Sequence, residues 1–301
     1  KKIAMRHLNF KGIFPIISTP FNAREEIVYE DVRRQVDWLI DNGVDGIGVA
    51  IASEIYKLND NEKFDLLSTI VDQASSRVPI IMNTGAESTF STIFYSKKAE
   101  ELGANGLMIR PPSFIKTSPF LHEEFYFKIA NSVNIPIFMQ DQNDASISGE
   151  QALKISDLHE NLSYIKLESM PTIPKFDFCN NNSSREKLIL FGGGGGLFFL
   201  EELRRGSSGT MPGSTLPDVF VKVWNLWQKK DFDNALSFYS NYSQLIKILA
   251  QSQGLSNWIY KYILYKRGIF SKSSIHARNP AMKPSELHFK EIDKLLDINN
   301  L

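Results

Sequence analysis

Residues 136–167 read PIFMQDQNDASISGEQALKISDLHENLSYIKL and contain one complete unit of the pattern that decides the fold. The unit begins with the apolar run Pro136–Met139 and ends with a second apolar run, Tyr164–Leu167. Between them, Ser148 and Gln151 have the spacing of a helix N-terminal capping box. Short apolar runs of this kind are typical of strands that are buried on both faces. The stretch therefore predicts a strand, a helix and a second, parallel strand.

The same alternation extends in both directions from this unit. Apolar runs also occur at Gly12–Ile17, Gly46–Ala52, Pro79–Met82, Gly106–Ile109, Lys187–Phe191 and Gly209–Met211. The segments between the runs place apolar residues at helical spacing, as Val32, Val36 and Leu39 do. Eight strand–helix alternations in roughly 215 residues favour an α/β fold, a (β/α)8 TIM barrel, over an open sheet.

The pattern changes after Leu216, because the remaining sequence contains segments of helical spacing and no strand candidate. The helical segments are Val219–Gln228, Phe232–Gln251 and Leu255–Arg267. We therefore expect two domains: a barrel over residues 1–216 and a C-terminal helical extension over residues 217–301. The aromatic residues of the extension are expected to pack on the barrel, and some of them could instead face another subunit.

Composition and charge exclude several classes of function. The chain of 301 residues has 34 basic and 34 acidic residues, whereas proteins that bind nucleic acid usually have a basic excess. Its one cysteine, Cys179, excludes an internal disulfide and a multi-cysteine zinc site. None of the five histidines lies at a predicted strand end, so no metal is expected. No apolar run is long enough to span a membrane. We expect a cytoplasmic protein.

Lys166 is the strongest candidate for a catalytic residue. It lies inside the predicted sixth strand, and active sites of (β/α)8 barrels lie at the carboxyl ends of the strands. A lysine there is desolvated, which favours the neutral amine that forms a Schiff base with a carbonyl substrate. The alternative is a lysine whose ammonium reaches solvent from a partly exposed strand.

Five consecutive glycines, Gly192–Gly196, follow the predicted seventh strand. Their backbone amides could hold an anion, and barrels often bind anions near strands seven and eight. We therefore expect Gly193, Gly194 and Gly195 to bind substrate together with Thr210 of the eighth strand. The alternative is a flexible loop that needs no side chains.

Four motifs together resemble the dihydrodipicolinate synthase / N-acetylneuraminate lyase superfamily: Gly12–Phe21, Gly43–Ile47, Tyr164–Lys166 and Gly206–Gly209. The resemblance covers about residues 10–290. It implies a Schiff-base aldolase or lyase on a (β/α)8 barrel with C-terminal helices, in a homo-oligomer that is a tetramer or a dimer. It also implies that Lys166 forms the imine with pyruvate or another 2-oxo acid and that no other cofactor is needed.

Several departures from the superfamily pattern narrow the activity. The hydroxyls that bind the substrate carboxylate after strand two are reduced to Ser53, which follows Ala52. Gln140 occupies the position of a proton-relay tyrosine, and an amide does not titrate. Pro111–Ser113 replaces the segment that supplies a second relay tyrosine, and the arginine of lysine-pathway enzymes is missing. The chain is therefore not expected to be a dihydrodipicolinate synthase.

The combination of Ser53–Glu54, Gln140–Asp141 and Ile165–Glu168 resembles more closely the branch that contains 2-keto-3-deoxy-L-arabonate dehydratase. In that case one of three carboxylates, Glu54, Asp141 or Glu168, replaces the missing tyrosine in proton transfer. Alternatively, each of these carboxylates is a structural partner of a backbone amide or a lysine.

Three functions are consistent with these residues. The first is a Schiff-base lyase that dehydrates a 2-keto-3-deoxy sugar acid. The second is an aldolase on the same scaffold, which releases pyruvate and an aldehyde. The third is a catalytically silent barrel that binds a 2-oxo acid; the missing tyrosines support it and the retained Lys166 opposes it. In each case the expected partner is a small 2-oxo acid, not nucleic acid or a membrane.

Overall fold

The fold is built from short strands that alternate with helices. The structure, a computed structural model, describes residues 9–115, 117–182 and 188–301. The strands in these residues are β1 (Gly12–Ile13), β2 (Ile47–Val49), β3 (Ile80–Asn83), β4 (Gly106–Ile109), β5 (Ile137–Asp141), β6 (Tyr164–Leu167), β7 (Ile189–Gly192) and β8 (Gly209–Thr210). Their order in the sheet is β1-β8-β7-β6-β5-β4-β3-β2. The predicted fold class, a (β/α)8 barrel with C-terminal helices, is confirmed.

Helices connect the strands and follow the last one. They are α1 (Tyr29–Asp41), α2 (Asp60–Ala74), α3 (Thr89–Glu101), α4 (Pro119–Ala130), α5 (Gly149–Ser156), α6 (Thr172–Asn182), α7 (Phe199–Arg204), α8 (Pro217–Gln228), α9 (Phe232–Asn241), α10 (Ser243–Leu249), α11 (Gln253–Lys266) and α12 (Glu286–Asn299). Short 3₁₀ turns lie at Ile51–Ser53, Ile55–Lys57, Gly194–Gly196 and Lys272–Ser274.

Local capping signals explain where several helices begin. The Asn59 side chain accepts a hydrogen bond from the Glu62 amide, and the Glu62 carboxylate accepts one from the Asn59 amide, at 3.0 and 2.9 Å. This is a complete capping box at the start of α2. Ser148 accepts from the Gln151 amide at 3.1 Å, but the Gln151 side chain donates to the Pro119 carbonyl instead. The predicted box at α5 is therefore only half formed.

The chain divides into two structural units. The first contains the described residues of 9–11, 79–193 and 198–210. The second contains Gly12–Val78, Gly194–Leu197 and Met211–Leu301. The domain boundary at residue 216 stays a prediction.

The first unit holds six parallel strands, β3–β8, each paired with the next in sequence. One face of β5–β7, here called the aromatic face, carries Phe138, Tyr164 and Phe191. The rings of Phe138 and Tyr164 are stacked at 4.5 Å, and those of Phe138 and Phe191 lie edge to face at 5.2 Å. Phe10 adds a fourth ring against Phe138. These closely packed rings form an apolar floor beneath the side chains that come next on the same face, towards the carboxyl ends of the strands.

The second unit contains β1, β2 and the C-terminal helices. Ile16 forms parallel bridges with Gly48 and with Gly213. Arg267 at the end of α11 donates two hydrogen bonds of 2.9 Å to Asp218 of α8, a bidentate pair that joins the two helices.

Some predicted boundaries were wrong. The predicted strand Gly46–Ala52 ends at Val49 because a 3₁₀ turn follows it, and the strand predicted at Pro136–Met139 continues through Asp141. The predicted helix Phe232–Gln251 is two helices, because Tyr242 leaves helical geometry between α9 and α10. Lys187, the predicted start of the seventh strand, lies outside the described residues. Among the described helices, none is both long and apolar enough to cross a membrane.

Candidate active site

Lys166 lies on β6 and is only 5% exposed. It pairs in register with Gln140 of β5 and Phe191 of β7, two positions after the pair formed by Phe138 and Tyr164 and therefore on the same face. The ammonium therefore lies above the aromatic floor at the carboxyl end of the strand. Its partner is the carboxylate of Glu168, two residues further along the chain and on the same face. Pairing with a carboxylate offsets the cost of burying the ammonium.

Gly193 makes the close packing around Lys166 possible. A Cβ atom at this position would lie 2.6 Å from Cε of Lys166 and 2.6 Å from Cγ of Glu168. Any side chain would therefore displace the ion pair. The sequence signal for this role is the glycine run itself, in which Gly193 is the first residue after β7.

Gln140 lies beside Lys166 and is buried. Its carbonyl oxygen Oε1 accepts a hydrogen bond of 2.9 Å from Nδ2 of Asn83, at the end of β3. That bond leaves the Nε2 amide group of Gln140 as the donor end of the side chain. Sequence reasoning missed Asn83, because its partner is 57 residues away and only the sheet brings the two strands close.

Asp141 follows Gln140 on β5 and therefore lies on the opposite face of the sheet. Its carboxylate accepts hydrogen bonds from the amides of Ile147 and Ser169, at 2.8 and 3.0 Å. It also accepts from the Ser169 hydroxyl and pairs with Lys175 at 2.8 Å. These contacts join the segments after β5 and β6. Sequence reasoning missed Lys175, which comes from α6.

A second carboxyl group approaches the end of β7 from the other side. Glu202 of α7 is buried, and its Oε2 atom has no hydrogen-bond partner among the described residues. It lies so close to Gly192 that a Cβ atom there would overlap it. Burial raises the pKa of Glu202 well above its usual value, and the nearby charge of Glu168 raises it further. Thr210, in register with Gly192, is also buried, and no acceptor or donor for its hydroxyl occurs in the described part.

Replacing Glu202 with glutamine should stabilise the protein, and the gain should grow with pH. The pKa of Glu202 is raised in the folded protein, whereas in the unfolded chain the group ionises near its ordinary pKa. Between these two values folding requires proton uptake, so wild-type stability falls by up to about 1.4 kcal/mol per pH unit. Glutamine does not titrate. Urea unfolding of both proteins at about pH 5 and about pH 8 checks this, and a difference that is independent of pH contradicts it.

In the second unit, Glu54 is buried and pairs with two lysines. Its Oε1 atom contacts Nζ of Lys261, and its Oε2 atom lies 3.3 Å from Nζ of Lys57. Lys261 is itself 1% exposed and donates to the His276 carbonyl at 2.8 Å. Burial lowers the pKa of Lys261 to about 8, although the Glu54 carboxylate opposes this change. Sequence reasoning missed Lys261, a second buried lysine, because it lies on a helix.

Ser53 and Ala52 lie in the 3₁₀ turn after β2. The Ser53 hydroxyl donates to the Ile17 carbonyl at 2.6 Å and accepts from the Ala50 amide at 3.1 Å. Its hydrogen is therefore engaged within the protein. The Ser53 carbonyl accepts from the Thr19 hydroxyl at 2.6 Å, which makes this turn a closely hydrogen-bonded segment.

Gly194 and Gly195 both have positive φ, at +56° and +70°. A Cβ atom on Gly194 would meet nothing within 4 Å, and one on Gly195 would meet only the Tyr260 hydroxyl at 3.5 Å. The next carbonyl, that of Gly196, accepts a hydrogen bond of 2.6 Å from the Tyr239 hydroxyl. The glycine segment is thus held from one side and leaves open space on the other.

Other reactive groups do not form a site of their own in the described residues. No group of three or more His, Cys, Asp or Glu side chains there could hold a metal ion. Cys179 is buried, and burial raises the pKa of its thiol to about 11, so the thiolate is disfavoured.

Comparison with known proteins decides the family. The model of the dihydrodipicolinate synthetase family matches residues 9–299. The chain belongs to this family. An L-2-keto-3-deoxyarabonate dehydratase from Azospirillum brasilense is 26% identical over 280 residues, covering 91% of this chain and 90% of that protein. A 4-hydroxy-tetrahydrodipicolinate synthase from Methanococcus vannielii is 26% identical over 249 residues, covering 79% and 83%.

Solved structures of the family have the same fold. Dihydrodipicolinate synthase from Rhodopseudomonas palustris superposes with a TM-score of 0.87 and 25% identity, covering 96% of this chain and 97% of that one. A prophage protein of the family from Escherichia coli K12, solved in complex with pyruvate, has a TM-score of 0.90 and 21% identity, with coverages of 97% and 99%. Members of the dihydrodipicolinate synthetase family are lysine-dependent lyases that form a Schiff base with pyruvate and use no metal or other cofactor.

Proposed function

We propose that this protein is a Schiff-base lyase in which Lys166 forms the imine and a 2-keto-3-deoxy sugar acid is dehydrated. The observation that carries the proposal is the neighbourhood of Lys166: a buried lysine on β6, paired with Glu168 and flanked by the amide of Gln140. A family member with an amide beside its lysine must move protons through another group, and Glu168 is in contact with the ammonium. The similarity to the Azospirillum brasilense dehydratase supports the same choice.

Imine formation requires the Lys166 nitrogen to attack the C2 carbonyl of the substrate. Of the three protons on the ammonium, two leave with the carbonyl oxygen as water and one stays on the protonated imine. Glu168 can take a proton while the nitrogen attacks and return it to the departing oxygen, since it already contacts Nζ. The aromatic floor excludes water from the lower side of the reacting nitrogen.

Dehydration then follows in two balanced steps. The protonated imine withdraws electrons, so a base removes a proton from C3, and the C–H electron pair forms an enamine. The enamine expels the C4 hydroxyl, which takes up a proton and leaves as water. We assign both transfers to Glu168, which receives the C3 proton and supplies the one that leaves with the hydroxyl. Hydrolysis of the remaining imine consumes one water and restores Lys166.

We assign orienting roles to the other predicted residues near β5. Gln140 presents amide hydrogens because Asn83 occupies its oxygen, so it is suited to donate to a substrate oxygen. Asp141 is suited to positioning the segments after β5 and β6, because amides and Lys175 occupy its carboxylate. Glu54 is likewise suited to a positioning role, in the second unit, because two lysines occupy its carboxylate.

Substrate contacts outside this neighbourhood stay predictions. The Ala52 amide is proposed to bind the substrate carboxylate. Ser53 stays a predicted contact that requires rearrangement, since its hydroxyl donates to the Ile17 carbonyl and its amide donates to the Ala50 carbonyl at 2.9 Å. Gly193, Gly194 and Gly195 are proposed as further backbone donors, with Thr210 as a hydroxyl partner. A homo-oligomer and a cytoplasmic location also remain predictions; one solved structure of similar fold is described as a monomeric variant.

The test compares three substrates with the unmodified protein. Borohydride and pyruvate should leave one reduced pyruvate adduct on the protein, detected by intact mass and peptide mapping. With 2-keto-3-deoxy-L-arabonate, proton NMR should show loss of water and no release of pyruvate. Release of pyruvate and an aldehyde would establish the aldolase alternative. Rapid condensation of pyruvate with aspartate semialdehyde would contradict the proposal, and an adduct without turnover of any substrate would favour the silent barrel.

A further inference from the structure

Arg110 follows β4 directly and is connected to Lys166 through side chains of the first unit. Its NH1 group donates to Oε1 of Gln142 at 3.3 Å, and Nε2 of Gln142 donates to Oε2 of Glu168 at 3.4 Å. Glu168 completes the chain by pairing with Lys166. A continuous row of polar groups therefore leads from the reacting nitrogen to a guanidinium.

Strand register places this row on the aromatic face. Met108 of β4 pairs with Phe138 of β5, and Arg110 comes two residues after Met108, as Gln140 comes two after Phe138. Side chains two residues apart on a strand point to the same side. Pro111 and Pro112 follow at once and restrict the backbone beyond Arg110. The backbone at Arg110 is thereby constrained by the strand on one side and by the prolines on the other, and hydrogen bonds to Gln142 and Asp144 position the guanidinium.

The Arg110 guanidinium has N–H groups that are available to bind a ligand. Its NH1 group donates to Gln142 and to Oδ2 of Asp144 at 3.1 Å, and its NH2 group donates to the Ser113 hydroxyl. Among the described residues no acceptor faces the Nε–H or the second NH2 hydrogen. The side chain is 22% exposed, so a ligand can reach it.

We propose that Arg110 and Gln142 recognise the hydroxyl groups at the far end of the substrate and determine its length and charge. This inference rests on the proposed function, because it extends the substrate from the carbon bound to Lys166. A three-carbon 2-oxo acid ends before this row, whereas a five-carbon sugar acid carries hydroxyls beyond C3. Arg110 is a specificity-determining residue, and Lys166 and Glu168 retain the chemistry.

The charges around Arg110 favour a substrate whose far end is uncharged over one that carries a second carboxylate there. Arg110 is balanced by Asp144, and Lys166 is balanced by Glu168. A terminal carboxylate would have to displace Asp144 from the guanidinium and would meet the negative Glu168. Hydroxyl groups can instead accept from the free N–H groups of Arg110 and donate to Asp144, with both ion pairs intact. The expected substrate class is a 2-keto-3-deoxy acid with an uncharged polyhydroxyl end.

The test replaces Arg110 with methionine, which keeps the length and removes the donors. We expect KM for 2-keto-3-deoxy-L-arabonate to rise about 10- to 100-fold, the usual effect of losing hydrogen bonds from a charged donor, with a smaller change in kcat. Trapping of pyruvate by borohydride should be unchanged. NMR follows the loss of substrate, so KM can be measured whether the reaction is a dehydration or an aldol cleavage. Arg205→Met is the matched control, since Arg205 also lies in the first unit and is paired with Asp177.

Three outcomes would overturn the inference. An unchanged KM for the five-carbon acid shows that Arg110 does not contact the tail. A loss of pyruvate trapping in a folded Arg110→Met protein shows that Arg110 acts on the lysine pair instead. Preference of the wild type for 2-keto-3-deoxyglucarate, which has a terminal carboxylate, contradicts the neutral tail. Failure of the proposed function is distinguishable, because the wild type would then neither trap pyruvate nor consume any of these acids.

Discussion

Replacing Lys166 with alanine is expected to abolish the borohydride-trapped pyruvate adduct and to lower kcat/KM on the order of 10⁴- to 10⁶-fold. The reason is that the variant lacks the amine that forms the covalent bond to substrate at this site, and loss of a nucleophile in other enzymes has effects of this size. Intact mass after reduction measures the adduct. The substitution leaves Glu168 without its ammonium partner, so circular dichroism must confirm that the variant is folded.

Lys261 is the internal control for this experiment. It is the other buried lysine in the part of the chain that the structure describes, and burial lowers its pKa to about 8, which makes more of the neutral amine available. It remains in the Lys166→Ala variant. An adduct that persists there, or that maps to Lys261 in the wild type, would disprove the assignment of Lys166. The mapping needs no variant and so does not depend on folding of the alanine protein.

Replacing Gly193 with alanine is expected to lower the rate of adduct formation by about 10²-fold or more while changing Tm little. The added Cβ would lie 2.6 Å from Cε of Lys166, so the ammonium must move, and a displacement of about 1 Å can cost this much in rate. The cost to folding is expected to be small, because the atoms that must move belong to the flexible side chains of Lys166 and Glu168, which can shift together as a pair, and Gly193 does not have positive φ. The rate of borohydride trapping and the melting temperature measure the two effects.

Gly254→Ala is the matched control, since Gly254 lies in α11 and a Cβ atom there would have its nearest neighbour at 3.9 Å. That variant should trap pyruvate at the wild-type rate and be at least as stable as the wild type, since alanine has the higher helix propensity. If Gly193→Ala also traps pyruvate at the wild-type rate, the close approach at Lys166 has no role in the reaction.

Much of the fold could be predicted from local sequence. Two strands, Gly106–Ile109 and Tyr164–Leu167, begin and end where the apolar runs predicted. Strands that are buried on both faces need apolar residues at nearly every position, so the ends of an apolar run indicate where the strand begins and ends. The turn after β2 was harder to predict, because Ile51 and Ala52 are as apolar as the strand before them.

The site was only partly predictable. Gln140 and Asp141 are consecutive, and both were candidates for catalysis as residues that follow a strand. They belong to the strand itself, so they lie on opposite faces, and only Gln140 shares a face with Lys166. The alternation could have been applied from sequence if the end of β5 had been placed two residues later.

The sequence by itself determined the barrel, the family and the place of Lys166 in a strand, because strand burial and helix caps are local properties. The tertiary structure decided which groups these residues meet. Glu168 pairs with Lys166, whereas Asp141 pairs with Lys175 and Glu54 pairs with Lys261. These last partners are 34 and 207 residues apart in the chain. A buried carboxylate must be paired with a cation, and which cation lies next to it depends on how distant segments of the chain pack together.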